Sequence, residues 1–436
     1  MFGWIKNALG AGTQLADPFE QFVRDFVEES RRQNMVPTSY DPQERSFTFS
    51  RADGGDMKCH LDNVFRAWRA AEQSGRAEVI GRFVQSIVET TTSTSLDPQS
   101  LPRELMPGIR SHSQISDLMI RNWIAGAPVD DANATAFLPF LGDMVACTIR
   151  DLPNSMSPMT RATLADAEMP LQRAMELAMT NFRTNLPAPV FQALGDGLFG
   201  CNNLEDYQSA LLLLKPGTDY ALPPLQGVPV ALVPGRNLFY LTGSANLTGL
   251  GKLLDLAESA GQTAHFCSSV MMQWDGDRWT EFHFRGGDDR AVRQREIARA
   301  QLATDYDSQK QLLDQYYIKC GLDIVVNQQM LFRRKDTLDT ISVTTLASAT
   351  TGALLPRADR VSFVKQVVNP ESGLAQKAPD GIVDVPWSDA MAIVGHLLEP
   401  VAHVYPPRVR ALGFPDADAW ARLTAAAAAS PAVPKP

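Results

Sequence analysis

The residues most able to do chemistry are concentrated between Met106 and Trp123, which read "MPGIRSHSQISDLMIRNW". Arg110 precedes His112, and Ser111 and Ser113 flank that histidine. A serine activated by an imidazole would be a nucleophile, and a half-buried guanidinium would hold an anion. These elements decide between the two. If Met106 to Ser113 is a strand, successive side chains point to opposite faces, so neither serine reaches the imidazole. His60 beside Cys59 fails as a dyad for the same reason, and the chain has no GxSxG elbow. Arg110 and His112 therefore remain the weak catalytic candidates, with hydrolysis as the reaction they would serve. Arg110 also sits in the apolar context Pro107-x-Ile109, where a guanidinium needs a carboxylate or several carbonyls. Asp117, Asp143 and Asp151 are the expected partners, and the preferred reading is an internal ion pair. An anionic ligand in a cleft is the alternative.

His265-Phe266-Cys267 would place two metal ligands on one face of a strand. A tight turn at Asp275-Gly276-Asp277 pairs Trp274 with Trp279 and sends His283 to the opposite face. With no CxxC or HExxH elsewhere, His265 and Cys267 read as structural, and no metal or other cofactor is expected. "GSANLTGLGK", Gly243 to Lys252, follows a strand and opens a helix, the setting of a phosphate cradle. The Walker spacing fails, because Asn246 stands where the first glycine should be and Leu253 replaces the Ser/Thr. Asn246 or Ser244 is then simply the helix cap. Trp274, Trp279 and Trp387 pack across strands or at a strand end first, and offer a partner surface as the sharper alternative.

The formal net charge of −9 over 436 residues leaves no electrostatic reason to hold nucleic acid or an anionic membrane. Five widely spaced cysteines among apolar residues suit free thiols in a reducing compartment. The N-terminal "MFGWIKNALGAG" makes a poor signal peptide, and no run approaches the ~18 apolar residues of a membrane span. A cytoplasmic location is expected.

Asp17-Pro18-Phe19-Glu20 starts a helix, with Phe19, Phe22, Val23, Phe26 and Val27 on its buried face. A hairpin and further helical sequence complete residues 1–104. From 105 to 286 strands dominate, at Met106 to Ser113, Leu118 to Ile124, Thr135 to Leu141, Val145 to Leu152, Val228 to Val233 and Leu238 to Thr242. Helices are expected over 158–185, near Leu204 to Leu214, and from Asn246 to Ser259. Residues 287–304 are polar and read as a connection, 305–423 as a second module with a helix at Asp389 to Leu398, and 424–436 as a flexible tail. The fold class predicted is α+β: mixed, largely antiparallel sheets with helices packed on them, in two modules.

The order Pro107-Gly108-Ile109-Arg110-Ser111, the apolar run Leu118 to Ile120, and the strand pair around Phe137 to Leu152 form a recognisable series. It continues through "AMTNFRTNLP", "CNNLEDYQSALLLL" and the closing hairpin. Over about residues 40–285 this arrangement resembles the YtpQ-like family of uncharacterised bacterial proteins. The resemblance implies a bacterial protein and brings no established activity with it; the C-terminal part lies outside it. With no convincing nucleophile–base pair, no metal-ligand spacing and no nucleotide loop in the sequence, the expected function is a non-catalytic accessory, regulatory or immunity-type protein acting through protein–protein contacts. The alternative is a hydrolase or anion-ligand-binding enzyme with a cleft near Arg110.

Overall fold

The computed structural model describes residues 17–42, 45–50, 56–92, 99–152, 155–263, 265–333, 340–348, 350, 352–369 and 375–429. The N-terminal "MFGWIKNALGAG" and the Gly-Gly turn of the first hairpin lie outside them.

Helix Pro18–Arg32 begins where its capping sequence requires, with Asp17 Oδ1 accepting from the Phe19 amide at 3.0 Å. Its aromatic face packs on the antiparallel strands Ser39–Asp41, Ser46–Ser50 and Asp56–His60 and on helices Asp62–Ala70 and Arg76–Thr92. Phe26 and Phe47 stack at 5.2 Å in a core built largely from rings.

Strand Leu105–Ser111 pairs antiparallel with Met144–Leu152, which sets Arg110 opposite Val145; Phe137–Pro139 and Ser155–Pro158 flank the pair. A six-stranded antiparallel sheet runs in the order Trp279–Glu281, Met272–Trp274, Pro229–Leu232, Phe239–Gly243, Leu198–Cys201, Phe191–Gly195. Helix Leu247–Ser259 covers one face through Leu250, Leu253 and Leu254 against Val230 and Leu232. The other face joins Met106 and Ile109 in the central core.

Helix Asp289–Lys319 leads into a sheet of Met330–Arg333, Thr340–Ala347, Arg360–Val368 and Ala375–Pro386, whose middle pair is parallel. A smaller antiparallel sheet joins Leu354–Pro356, Arg408–Ala411 and Leu398–Pro400, with helices Trp387–Val394 and Ala417–Ala429 packed nearby. The class is α+β, as the strand and helix patterns predicted.

Several elements differ from expectation. Leu118 to Ile124, read as a strand, belongs to helix His112–Ala125, capped by Ser111 and ended by Gly126 at φ 108°. Ile120 and Trp123 are buried at helical spacing against Leu312, Leu313 and Val326. Of the polar residues 287–304, all from Asp289 onward belong to the long helix, where Arg293 pairs with Asp255 at 2.7 Å and also with Glu258. A surface helix held by ion pairs in its first half carries too few apolar residues there to show the 3.6 period. The helical region 158–185 is two helices, Arg161–Asp166 and Leu171–Asn185, separated around Pro170. Leu204 to Leu214 holds a 3₁₀ turn, Gln208–Leu213. Residues 424–429, expected to be tail, close helix Ala417–Ala429, whose Leu423 is buried; 430–436 lie outside the described residues.

Candidate functional site

Arg110 does not have the carboxylate its context demanded. Nη1 donates to its own neighbour's carbonyl, Ile109 O, at 2.9 Å, and the guanidinium lies over Gly108, where a Cβ would come within 3.0 Å of it. None of the three aspartates forms an ion pair with it. Asp143 turns to Ser268, and Asp117 to Ser308, each accepting at 2.6 Å. Asp151, six residues beyond Val145 on the neighbouring strand, stands beside Tyr207 instead. The expected internal ion pair is thus replaced by a half-buried cation without an anion among the described residues.

The wider neighbourhood of Arg110 mixes charges: Arg236 on one segment, and Asp143, Asp151 and Asp206 on others. Ile109 O also accepts from the Cys267 thiol at 3.4 Å, which brings the 265–267 segment against the strand. There the Arg236 amide donates to His265 O at 3.2 Å, and Gly235 bridges Phe266. Arg236 has one carboxylate partner, Asp206 at 3.2 Å. Burial lowers the proton affinity of Arg236, Asp206 opposes that, and Arg110 adds to it. Burial, with Arg236, Arg110 and Arg66 nearby, brings the His265 pKa down to about 3, so this imidazole is neutral.

The metal reading of His265 and Cys267 fails on backbone geometry. His265 sits at φ 54° outside any strand, so alternation does not bring it beside Cys267. Cys267 is fully buried, and burial pushes its thiol up to about 12. No group of three or more His, Cys, Asp or Glu side chains suited to a metal occurs among the described residues.

His112 parts company with Arg110. It begins a helix instead of continuing the strand, so the alternation argument does not apply; the serines are occupied all the same. Ser111 Oγ accepts from the Gln114 amide at 3.4 Å, and Ser113 donates to Asp305 at 2.7 Å. The imidazole stacks on Tyr405 at 3.9 Å and meets Phe137 edge-on, and burial lowers its pKa to about 4. A neutral ring held between two aromatics is packing.

Around it lies a junction that sequence reasoning missed. Of three serine–carboxylate bonds, Ser113–Asp305 and Ser308–Asp117 tie helix His112–Ala125 to helix Asp289–Lys319, and Ser268–Asp143 ties the 265–270 segment to the turn before Met144–Leu152. No ion pair reaches the three carboxylates among the described residues. Burial pushes Asp143 up to about 7 and Asp117 to about 6, and raises Asp305. Tyr405 N donates to Ser116 Oγ at 2.8 Å, and Arg408, 1% exposed, donates to the carbonyls of Asn327 and Tyr306 at 2.7 and 3.1 Å. These residues are up to 289 positions apart, and only the polar spacing of the long helix hinted at them.

The glycine-rich loop is filled by protein. Asn246 caps helix Leu247–Ser259, accepting from Gly249 N at 3.0 Å, while its amide donates to Asp196 O, and Lys252 pairs with Asp196 at 2.6 Å. Trp274 and Trp279 pair across the hairpin in the expected register, edge to face at 5.6 Å. Trp279 is buried in the central core, so it offers no surface; Trp274 is half-buried. Trp387, at a helix start, packs on the C-terminal core, with Arg360 and Asp384 paired at 2.5 Å on the neighbouring strands. No described helix is long and apolar enough to cross a membrane. Comparison of the chain with protein-family models, with curated proteins and with solved structures finds no match.

Proposed function

We propose that this protein is an accessory or regulatory factor, of the kind that includes immunity proteins, working through protein–protein contacts in a bacterial cytoplasm. One observation carries the reading. Where helix Asp289–Lys319 ends, Ile318 is 78% exposed, and Leu322 and Val325 are exposed beside it. Leu322, Tyr317, Ile324 and Val401 line a groove of about 550 Å³ that also presents Asp323, Glu399 and Arg410. Large apolar side chains left in water beside a concave surface with a polar rim suit an apolar anchor from another protein. The YtpQ-like resemblance of residues 40–285 and the acidic charge balance support the setting.

The test is a double substitution, Ile318→Asp with Leu322→Asp, which alters exposed positions. Tagged wild-type and variant chains are recovered from native cells and compared by quantitative mass spectrometry. A partner lost from the variant, at unchanged melting temperature, bears the reading out. A variant that retains every partner of the wild type overturns it.

A further inference from the structure

We propose that the cavity between helix Pro18–Arg32 and the start of helix Arg76–Thr92 binds a basic amino acid such as lysine. Arg76 and Trp68 take its carboxylate, and Glu28 and Asp25 take its side-chain ammonium. The site shares no residue with the apolar groove and is independent of the protein-contact reading.

The cavity holds about 400 Å³, within the roughly 300–1,000 Å³ of small-molecule sites. One wall is a stripe of helix Pro18–Arg32, where Gln21, Asp25, Glu28, Glu29 and Arg32 recur at helical spacing. Glu29 is paired within the helix, with Arg32 at 2.7 Å. Asp25 meets only the neutral Gln21, at 2.6 Å, and Glu28 makes no hydrogen bond or ion pair among the described residues. The facing wall carries a cation on an aromatic ring. Arg76 opens a 17-residue helix, and its guanidinium lies 4.2 Å over the ring of Trp68, against which Phe22 and Phe65 pack. Trp68 is 3% exposed, yet its indole N–H has no acceptor, and neither does Arg76 Nε. No ion pair joins Arg76 to a carboxylate among the described residues, although three carboxylates line the same cavity.

Opposite charges therefore face one another across a space, with unpaired donors on one side of it. An unpaired buried donor is costly, and a carboxylate seated in the cavity would pair with both. It accepts from the Nε edge of a guanidinium in a two-pronged bond, with the indole N–H as a further donor and the helix N-terminus adding positive partial charge. A cation is what Asp25 and Glu28 lack. The lining holds three acids and two arginines, so a ligand of net positive charge completes it better than an amino acid with an apolar side chain. Ala77 and Ile80 offer an apolar floor to the methylenes between the charged ends.

The test titrates L-lysine into the full chain at constant ionic strength, followed by calorimetry and by melting temperature. L-norleucine, which lacks the terminal ammonium, and cadaverine, which lacks the carboxylate, are titrated in parallel. Lysine binds the wild type, and each of the other two binds several-fold more weakly. Arg76→Gln weakens lysine binding about tenfold or more, as loss of a bidentate charged pair requires. Glu28→Gln weakens lysine several-fold and leaves norleucine unchanged. Trp68→Phe, which keeps a ring and removes the N–H, weakens lysine several-fold and serves if Arg76→Gln does not fold. Arg173→Gln, at an exposed position elsewhere, binds as the wild type does. The proposal is overturned if lysine gives the wild type neither heat nor a shift in melting temperature. It is equally overturned if the folded Arg76 or Trp68 variant binds lysine as the wild type does, or if norleucine or cadaverine matches lysine.

Discussion

Ser113 donates a 2.7 Å hydrogen bond to Asp305, 192 residues later in the chain, and so ties the helix that follows strand Leu105–Ser111 to the long helix that opens the C-terminal part. The bond is one of three of its kind, and none of the three carboxylates is in an ion pair among the described residues. A neighbouring buried group, Arg408, is likewise satisfied by neutral acceptors. Polar contacts of this sort specify one arrangement of the two parts, because a shift of either helix strands a buried donor or acceptor.

Arg408 should be among the most sensitive positions. Its guanidinium serves Gln309 Oε1 and the Tyr306 carbonyl on the long helix and the carbonyl of Asn327 beyond it. Arg408→Leu leaves those acceptors buried and unmatched, and should cost about 3 kcal/mol or more at one to three per orphaned group. Urea unfolding of the variant measures it; a midpoint within error of the wild type would refute the role.

Asp143 should impose a pH dependence on stability. Its folded pKa is raised to about 7 by burial, with Asp305 and Glu281 adding to the shift and Ser268 opposing it. Between the ordinary 3.8 and about 7 the folded chain keeps a proton that the unfolded chain has released. This contribution is therefore complete near pH 4 and lost as pH rises through about 7. His112 acts in the opposite sense, since the unfolded chain takes up a proton below 6.5 that the folded ring refuses until about 4. The two effects separate by comparing the wild type with Asp143→Asn, which preserves an acceptor for Ser268. The wild type's melting temperature relative to the variant should fall from pH 4 to pH 8; parallel profiles would rule the carboxyl out.

Gly243 should not tolerate a side chain. An added Cβ would lie 2.1 Å from the carbonyl oxygen of Gln226, a backbone atom that cannot swing aside. Gly243→Ala should destabilise by about 3 kcal/mol, the upper end for overpacking. Gly251→Ala, inside helix Leu247–Ser259 with open space around it, is the control and should stabilise by up to about 1 kcal/mol through helix propensity. Equal midpoints in urea for the two variants would contradict the packing.

The thiols should divide by burial. Cys147, Cys201 and Cys267 are buried, Cys59 is half-buried with its thiol pushed up to about 12, and Cys320 is exposed. An aromatic disulfide reagent at pH 8 should modify one thiol rapidly in the native protein and five after denaturation. Rapid modification persisting in Cys320→Ser would show that the core opens on that timescale.

Local chemistry determined much of this protein. Asp17-Pro18 and Asn246 marked helix starts, Gly276 set the Trp274–Trp279 register, and the strand and turn pattern implied an α+β fold; each depends on neighbours within a few residues. Leu118 to Ile124 could not be settled that way, since a short apolar run fits either period until Leu312 and Leu313 arrive to cover the helical face. The sequence likewise marked Arg110 as a cation in apolar surroundings but could not name what faces it. Three nearby aspartates were the natural choices, and tertiary packing sent Asp143 and Asp117 to serines and Asp151 to Tyr207. It brought Arg236 and His265 instead, more than 120 residues on. Pairing among distant charges depends on which chain segments share a volume, and sequence separation carries no information about that. Only the fold gave Arg236 to Asp206 and left Arg110 on a neighbouring carbonyl.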